Sequence, residues 1–157
     1  MNDARNHPGV IAPPPLIFLG FLAAGWAFEA FVETYGLGLD PMVRRAAALG
    51  LIAVGLVLEG AAAGLFRRLK TAIHPWKPST ALATTGVYRF SRNPIYLGFA
   101  LTYVGLAIGL DSPVALLLLA PCLVVIDRLV IAREERYLEA VFGEPYRAYR
   151  ASVRRWL

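Results

Sequence analysis

The chain is poor in charged residues. Asp, Glu, Lys and Arg make up 17% of its 157 residues, against roughly 25% in soluble domains. Hydrophobic residues make up 57%, which is more than a globule of this length can bury. Intrinsic disorder is excluded, because it requires low hydrophobicity together with high net charge. The composition therefore predicts a protein whose surplus of apolar side chains faces a lipid bilayer.

Residues for metal, disulfide or nucleotide chemistry are also scarce. The single cysteine, Cys122, lies in an apolar run and can form neither an internal disulfide nor a thiolate cage. The two histidines, His7 and His74, lack metal-ligand spacing, so no metal site is predicted. No glycine-rich phosphate loop and no alternation of strands and helices is present, which excludes a Rossmann cofactor site. The net charge of +5 does not indicate nucleic-acid binding, because the basic residues lie between apolar runs rather than on one face.

Long apolar runs are what the chain does contain, and they predict four transmembrane helices. About 20 residues cross a hydrocarbon core of about 30 Å. The runs are Leu16–Val32, Ala46–Phe66, Ile95–Leu110 and Val114–Ile131. The first and third are short and require tilt or local thinning of the bilayer. We expect an all-α integral membrane bundle that forms one domain, 1–157, with two spans in residues 1–66.

The distribution of basic residues predicts the orientation in the membrane. Arginine and lysine concentrate between the second and third spans and in the tail, whereas the tight turn Asp111–Pro113 has none. We therefore expect both termini and the middle segment on the cytoplasmic side of the plasma (inner) membrane. A basic margin of this kind faces anionic membrane lipids.

The segment between the second and third spans predicts a folded, functional loop, because structureless connections of this length are uncommon. Pro94 favours a helix start at its own position. The exposed N–H groups of that helix start would attract an anionic group, and Tyr88 and Tyr96 offer ring faces to a cation. An interfacial belt of aromatic and basic residues is the alternative.

The tail after Ile131 predicts a helix that ends at Gly143, followed by a second short helix near Tyr146–Trp156. On a regular α-helix, residues separated by four or seven positions lie on nearly the same face. The residues that share one face in this way are Asp127, Glu134, Leu138 and Val141. Glu134 then shares an apolar face, which an acid does not do without a partner or ligand. Its alternative is an ion pair with Arg89 or Arg92. Glu135 stands apart from this face and is expected to be solvated, as is Glu139.

Polar and small residues within the spans are further candidates. Acids inside a membrane are costly and functional by default, and four lie in or near the spans: Glu29, Glu33, Glu59 and Asp127. For Glu33 and Asp127 the alternative is contact with head groups, and for Glu59 a polar contact between helices. Two patterns of small residues permit close helix contact: Gly60–Gly64 and Gly105–Gly109.

Three spaced elements resemble the isoprenylcysteine carboxyl methyltransferase family and the wider group of phospholipid N-methyltransferases. In order they are Leu82–Gly98, Arg133–Arg136 and Phe142–Tyr146, within residues 70–156. The resemblance implies a helical membrane enzyme that binds S-adenosylmethionine (SAM) on the cytoplasmic side. It also implies a lipid or isoprenoid-like methyl acceptor from the bilayer, and it makes residues 67–157 the cofactor-binding loop, helical hairpin and C-terminal helices.

The resemblance implies a set of cofactor-binding residues: Leu82, Ala83, Tyr88, Asn93, Pro94, Ile95, Tyr96 and Glu134. It fixes no catalytic residue, and the candidates are Arg133 and His74. Asn93 stands where prenylcysteine enzymes usually have histidine, and Val130 stands where an arginine would meet the substrate carboxylate. Arg128 or Arg133 is the alternative for that arginine. These departures argue against carboxyl methylation of prenylcysteine, and a small chain of four spans suggests a lipid amine or another amphiphile as acceptor.

Two other functions stay open at this point. One is an NADPH-dependent membrane reductase of related fold, and the other is a non-enzymatic membrane scaffold. The acidic pair and the segment Arg92–Tyr96 fit the methyltransferase better.

Overall fold

The computed structural model describes residues 12–32, 34–70 and 80–157, and the regular elements in those ranges are all helical. In chain order they are α1 (Pro14–Glu29), α2 (Pro41–Arg68), a 3₁₀ turn (Gly86–Arg89), α3 (Pro94–Gly109), α4 (Pro113–Val125), a π-helical segment (Ile126–Ile131), α5 (Ala132–Phe142) and α6 (Glu144–Ser152). α4, the π-helical segment and α5 follow one another without a break and form one continuous helix, Pro113–Phe142. For these residues the predicted all-α class is confirmed.

Prolines and polar caps set where the helices begin. Each of the helices α1 to α4 has proline at its start, where the fixed φ suits the first turn and the missing N–H would have no helical partner. Pro94 and Pro113 hold the positions predicted for them. Asp40 Oδ1 accepts hydrogen bonds from the backbone nitrogens of Met42 at 2.8 Å and Val43 at 3.2 Å, which satisfies two donors of the first turn of α2.

Two helices are long and apolar enough to cross a membrane, α2 and the continuous helix Pro113–Phe142. Only 11% of the most apolar window of α2 is buried inside the protein, and 28% of the corresponding window of the second helix. A core helix of a soluble protein would be mostly buried, so these faces require another apolar surrounding. α1 and α3 are apolar but have 16 residues each, which rise only about 24 Å at 1.5 Å per residue.

α2 packs along α3 through glycines that bring the two backbones together. A side-chain carbon on Gly98 would lie 2.6 Å from Glu59 Cγ and 2.9 Å from the Gly55 carbonyl oxygen, and one on Gly105 would lie 2.8 Å from the Ala48 carbonyl oxygen. The predicted contact at Gly105 is confirmed. The predicted close helix contact at Gly60–Gly64 is not formed among the described residues, where a side-chain carbon on either glycine would have no neighbour within 4 Å.

The end of the bundle opposite α5 and α6 is held by acids. Asp111 forms an ion pair with Arg44 and accepts a hydrogen bond from the Leu37 nitrogen at 3.0 Å. Glu29 Oε1 accepts from the Val114 nitrogen at 2.9 Å and thereby caps α4. The candidate Glu29 therefore has a capping contact, and Glu33 lies outside the described residues.

Two groups of buried side chains form the interior. The bundle cluster joins α1, α3 and α4 with the π-helical segment and includes Phe18, Tyr96, Tyr103 and Ile126. The tail cluster joins the end of α2 to the 3₁₀ turn and α6. Its buried members are Ala62, Ala83, Tyr88, Tyr146 and Tyr149. The first turn of α3 lies at the junction, since Ile95 packs on the tail cluster and Tyr96 belongs to the bundle cluster.

The tail differs from its prediction at one end. Gly143 adopts φ +58° between α5 and α6, a conformation that favours glycine, as the predicted helix end requires. The second helix ends at Ser152 rather than at Trp156, because Val153 is extended with φ −126° and ψ 132°. The residues after Val153 form other contacts, described below.

Candidate functional site

A hydrogen bond between Tyr96 and Glu134 forms the centre of the candidate site. The Tyr96 hydroxyl donates to Glu134 Oε1 at 2.6 Å. Tyr96 lies in the first turn of α3 and is buried, and Glu134 lies in the first turn of α5. The two residues are 38 positions apart, so the fold brings together two of the elements on which the resemblance depends.

Glu134 lies in an unusual electrostatic environment. It is in the charged helix α5, beyond Ile131, where the apolar stretch of the continuous helix ends. Burial raises the pKa of its carboxyl group to about 7, while the hydrogen bond from Tyr96 lowers it and the neighbouring Glu135 raises it. Within the part of the chain that the structure describes, the Tyr96 phenol donates to this carboxylate as a neutral group and does not cancel its negative charge when it is ionised.

Tyr88 adds a second phenol beside this carboxylate. It is buried in the 3₁₀ turn, and burial, followed by the charge of Glu134, raises the pKa of the Tyr88 phenol well above its usual range. Its backbone carbonyl accepts from the Tyr149 hydroxyl at 2.8 Å, and its ring meets Phe66 edge-on at 5.7 Å between centroids. These contacts fix the 3₁₀ turn against α2 and α6.

The remaining predicted cofactor residues lie around this pair of phenols. Ala83 is buried in the tail cluster, and Leu82 and Ile95 pack against it. Pro94 is fully buried at the start of α3. Asn93 is buried, and its side-chain amide donates to the Arg155 carbonyl oxygen at 2.9 Å. The predicted set therefore converges on the first turn of α3, with the amide of Asn93 turned toward the tail.

Glu135 departs from its prediction, since it is buried rather than solvated. Its carboxylate pairs with Arg92 at 3.0 Å and with Arg155. The ion pair with Arg92 that we weighed for Glu134 is therefore formed by Glu135.

The π-helical segment explains this exchange of roles. The prediction of a shared face assumed a regular α-helix. There, a residue seven positions after Asp127 is rotated from it by only about 20°, whereas a residue eight positions after it is rotated by about 80°. A π-helix joins residues five apart, so each turn contains about one residue more. Asp127 consequently shares a partner with Glu135, eight residues away, and Glu134 is directed to Tyr96 instead.

Arg155 connects these acids to the tail. Its Nη1 donates to Asp127 Oδ1 at 3.1 Å and Oδ2 at 3.0 Å, its Nε donates to Glu135 Oε1 at 3.2 Å, and its Nη2 also bonds Glu135. Trp156 Nε1 donates to Asp127 Oδ1 at 3.3 Å. The candidate Asp127 thus has partners within the protein. Sequence reasoning missed Arg155, since neither its spacing nor its neighbours relate it to acids 20 and 28 positions away.

Other predicted candidates have different surroundings. Glu59 Oε1 accepts from the Thr102 hydroxyl at 3.2 Å, which is the polar contact between helices weighed for it. Arg133 is half-buried beside Glu134, and His74 lies outside the described residues. Within residues 12–32, 34–70 and 80–157, no group of three or more His, Cys, Asp or Glu side chains has the arrangement of a metal site.

Comparison with known proteins shows similarity to membrane methyltransferases. A family model for phospholipid methyltransferases matches residues 43–145. The protein-S-isoprenylcysteine O-methyltransferase of Schizosaccharomyces pombe is 36% identical over 72 residues, which are 46% of this chain and 30% of that protein. Protein-S-isoprenylcysteine O-methyltransferase A of Arabidopsis thaliana is 40% identical over 75 residues, which are 46% of this chain and 36% of that protein.

Coverage differs among these relatives. The similarity spans about a third of the length of the isoprenylcysteine O-methyltransferases. An uncharacterized protein of Haemophilus influenzae is 41% identical over 63 residues, which are 40% of this chain and the whole of that protein. No solved structure matches the chain.

Proposed function

Because the chain belongs to the phospholipid methyltransferase family, we propose that it is an integral membrane methyltransferase that uses SAM to methylate a lipid-like amphiphile. The observation that carries this proposal is the 2.6 Å hydrogen bond between Tyr96 and Glu134. It brings a partly buried carboxylate and a buried phenol to the junction of the bundle cluster and the tail cluster, with Tyr88 beside them.

The residues at this junction fit SAM. The molecule combines a sulfonium cation with hydroxyl and amino groups. A partly buried carboxylate can accept hydrogen bonds from such groups at both of its oxygens, and phenol rings offer electron-rich faces to a cation. We propose that Glu134, Tyr96 and Tyr88 hold the polar and cationic parts, and that Leu82, Ala83, Asn93, Pro94 and Ile95 complete the site.

The chain's own groups would favour transfer by orientation and electrostatics. When bound, SAM would supply a methyl group from its positively charged sulfur to an electron pair of the acceptor, and the sulfur would leave as a neutral thioether. Glu134 places negative potential near that charge, and the hydrogen bond from Tyr96 fixes the position of the carboxylate. Apolar side chains of the bundle cluster and the tail cluster pack beside these groups, and a drier surrounding would strengthen their interactions with a bound cation. Holding both reactants in line accounts for much of the rate.

We propose four spans, formed by α1, α2, α3 and the apolar part of Pro113–Phe142. α1 is apolar up to its last residue, Glu29, and α3 has no charged residue, and their short length is compatible with local thinning of the bilayer. The basic tail and the basic segment before α3 favour the cytoplasmic side for SAM binding and for both termini, in the plasma (inner) membrane. The acceptor would then reach the site laterally from the bilayer.

The acceptor is proposed to be a lipid amine or another amphiphile rather than prenylcysteine. Val130, at the place where an arginine would meet a substrate carboxylate, is 1% exposed in the bundle cluster. The apolar side chain of Val130 can neither pair with a carboxylate nor donate a hydrogen bond to it. An amine acceptor must be neutral to attack, and its proton requires a base such as a carboxylate or His74.

The test uses the full chain purified in lipid nanodiscs and titrated separately with SAM and NADPH. We expect SAM to bind and NADPH not to bind, and Glu134→Gln to weaken SAM binding. Membranes that contain the protein should incorporate label from methyl-labelled SAM into an extractable lipid, whose identification gives the acceptor. Binding of NADPH without SAM would favour the reductase, and binding of neither would favour the scaffold.

A further inference from the structure

The last residues of the chain connect the two elements that form the candidate site. We define the C-terminal latch as Arg154–Trp156, the irregular segment that follows α6 and Val153. The Arg92 nitrogen donates to the Arg154 carbonyl oxygen at 3.0 Å. The Ser91 hydroxyl and the Asn93 side-chain amide both donate to the Arg155 carbonyl oxygen, at 3.3 Å and 2.9 Å. The backbone of the latch is therefore bound to the residues that immediately precede α3.

The side chains of the latch are bound to the other element, the continuous helix Pro113–Phe142. Arg155 bridges Asp127 and Glu135 with charged hydrogen bonds, and Trp156 adds a bond to Asp127. Charged hydrogen bonds are the stronger and more directional kind. Asp127 lies near the start of the π-helical segment and Glu135 lies in α5. The bridge by Arg155 therefore spans most of this segment and fixes the rotation of α5 relative to α4.

We propose that Arg155 and Glu135 are positioning residues, which hold Glu134 at Tyr96 without touching the cofactor. Glu134 is next to Glu135 in the chain, and Tyr96 lies one turn beyond Asn93. The Arg155 side chain binds Glu135, and the Arg155 backbone carbonyl binds Asn93. The latch therefore sets the separation between Glu134 and Tyr96. The two adjacent acids thus have separate tasks, since Glu134 serves the ligand and Glu135 serves the latch.

This inference rests on the proposed function and makes a distinct prediction about SAM affinity. Arg155→Met retains the length of the side chain and removes its hydrogen bonds. We expect it to lower SAM affinity by about tenfold or more, the scale of couplings between residues of one hydrogen-bond network. The matched control is Arg44→Met, which removes the ion pair with Asp111 at the opposite end of the bundle. It should lower the melting temperature without changing SAM affinity.

A double variant separates positioning from direct contact. If Arg155 acts through Glu134, Arg155→Met should reduce SAM affinity little further once Glu134→Gln is present. If the two losses multiply instead, Arg155 contacts the ligand independently and the proposal is overturned. Equal SAM affinity in Arg155→Met and Arg44→Met would overturn it as well.

Two further measurements keep the result interpretable. Should Arg155→Met fail to fold, Arg155→Lys keeps the charge but loses the double bridge, and an affinity between wild type and Glu134→Gln is expected. Unchanged affinity in Arg155→Lys would then overturn the proposal. The wild type is titrated in parallel, because its failure to bind SAM would refute the proposed function rather than the role of the latch.

Discussion

Replacing Tyr96 by Phe removes one oxygen atom and isolates the hydrogen bond to Glu134. Burial raises the pKa of Glu134 to about 7, and this hydrogen bond opposes the rise. A hydrogen bond to a charged group is worth about 1.5–3 kcal/mol. Since one pH unit corresponds to about 1.4 kcal/mol, loss of the bond should raise the pKa of Glu134 by about one to two pH units.

SAM affinity should report this change through its pH dependence. Only the ionised form of Glu134 attracts the sulfonium, so affinity should increase with pH and level off above the pKa of the free protein. We expect the plateau above about pH 7 in the wild type, and about one to two pH units higher in Tyr96→Phe. Isothermal titration in nanodiscs over the pH range in which both proteins stay folded measures it.

Two controls make the measurement specific. Tyr103→Phe loses the same oxygen atom, whose hydroxyl donates to the Ala115 carbonyl oxygen at 2.7 Å, and its plateau should match that of the wild type. Glu134→Gln leaves only the titration of the ligand, whose α-amino group has a pKa near the same range. Identical curves for wild type and Tyr96→Phe, or an equal displacement in Tyr103→Phe, would refute the assigned role of the bond.

Three other predictions concern stability and topology. Gly98→Ala should lower the melting temperature, since overpacking costs about 1–3 kcal/mol, whereas Gly60→Ala, on an open face of α2, should not; equal melting temperatures would contradict the packing of α2 on α3. Asp40→Ala should reduce stability by about 1 kcal/mol through loss of the helix cap, and an unchanged unfolding midpoint would exclude that contribution. A cysteine at Ser152 should escape an impermeant thiol reagent in intact cells, and one at Thr34 should react, so labelling of both from outside would exclude the proposed topology.

The helices were predictable because their signals are local. Pro94 and Pro113 mark helix starts by their own covalent geometry, and Gly143 marks a helix end by its backbone freedom. The bounds of α2 were less accurate, since the helix begins at Pro41, five residues before the apolar run. A hydropathy pattern reports where a helix is apolar, and it does not report where hydrogen bonding begins.

The sequence selected Tyr96 and Glu134 as candidate residues, but it did not reveal the contacts that hold them in place. Tyr96 and Glu134 followed from the resemblance, and they do meet. The helical face that also selected Glu134 assumed α-helical hydrogen bonding through residues 126–131, where the hydrogen bonds are π-helical. The helix before Ala132 is apolar on all sides apart from Asp127 and Arg128, so its side-chain periodicity does not distinguish the two hydrogen-bond patterns. The role of Arg155 depends on contacts across the whole tail, which spacing in the sequence cannot reveal.

The π-helical segment also has a consequence for how sequences of this kind should be aligned. In a relative, the corresponding helix could be α-helical throughout. Such a relative needs one residue fewer between the apolar half of this helix and the acidic pair, if its equivalent of Glu134 is to reach its equivalent of Tyr96. A gapless alignment anchored on the apolar half would then match Arg133 with the relative's equivalent of Glu134. A single-residue gap within Ile126–Ile131 restores the correct equivalence. Functional residues should therefore be transferred across this helix only after its hydrogen-bond pattern has been determined in both chains.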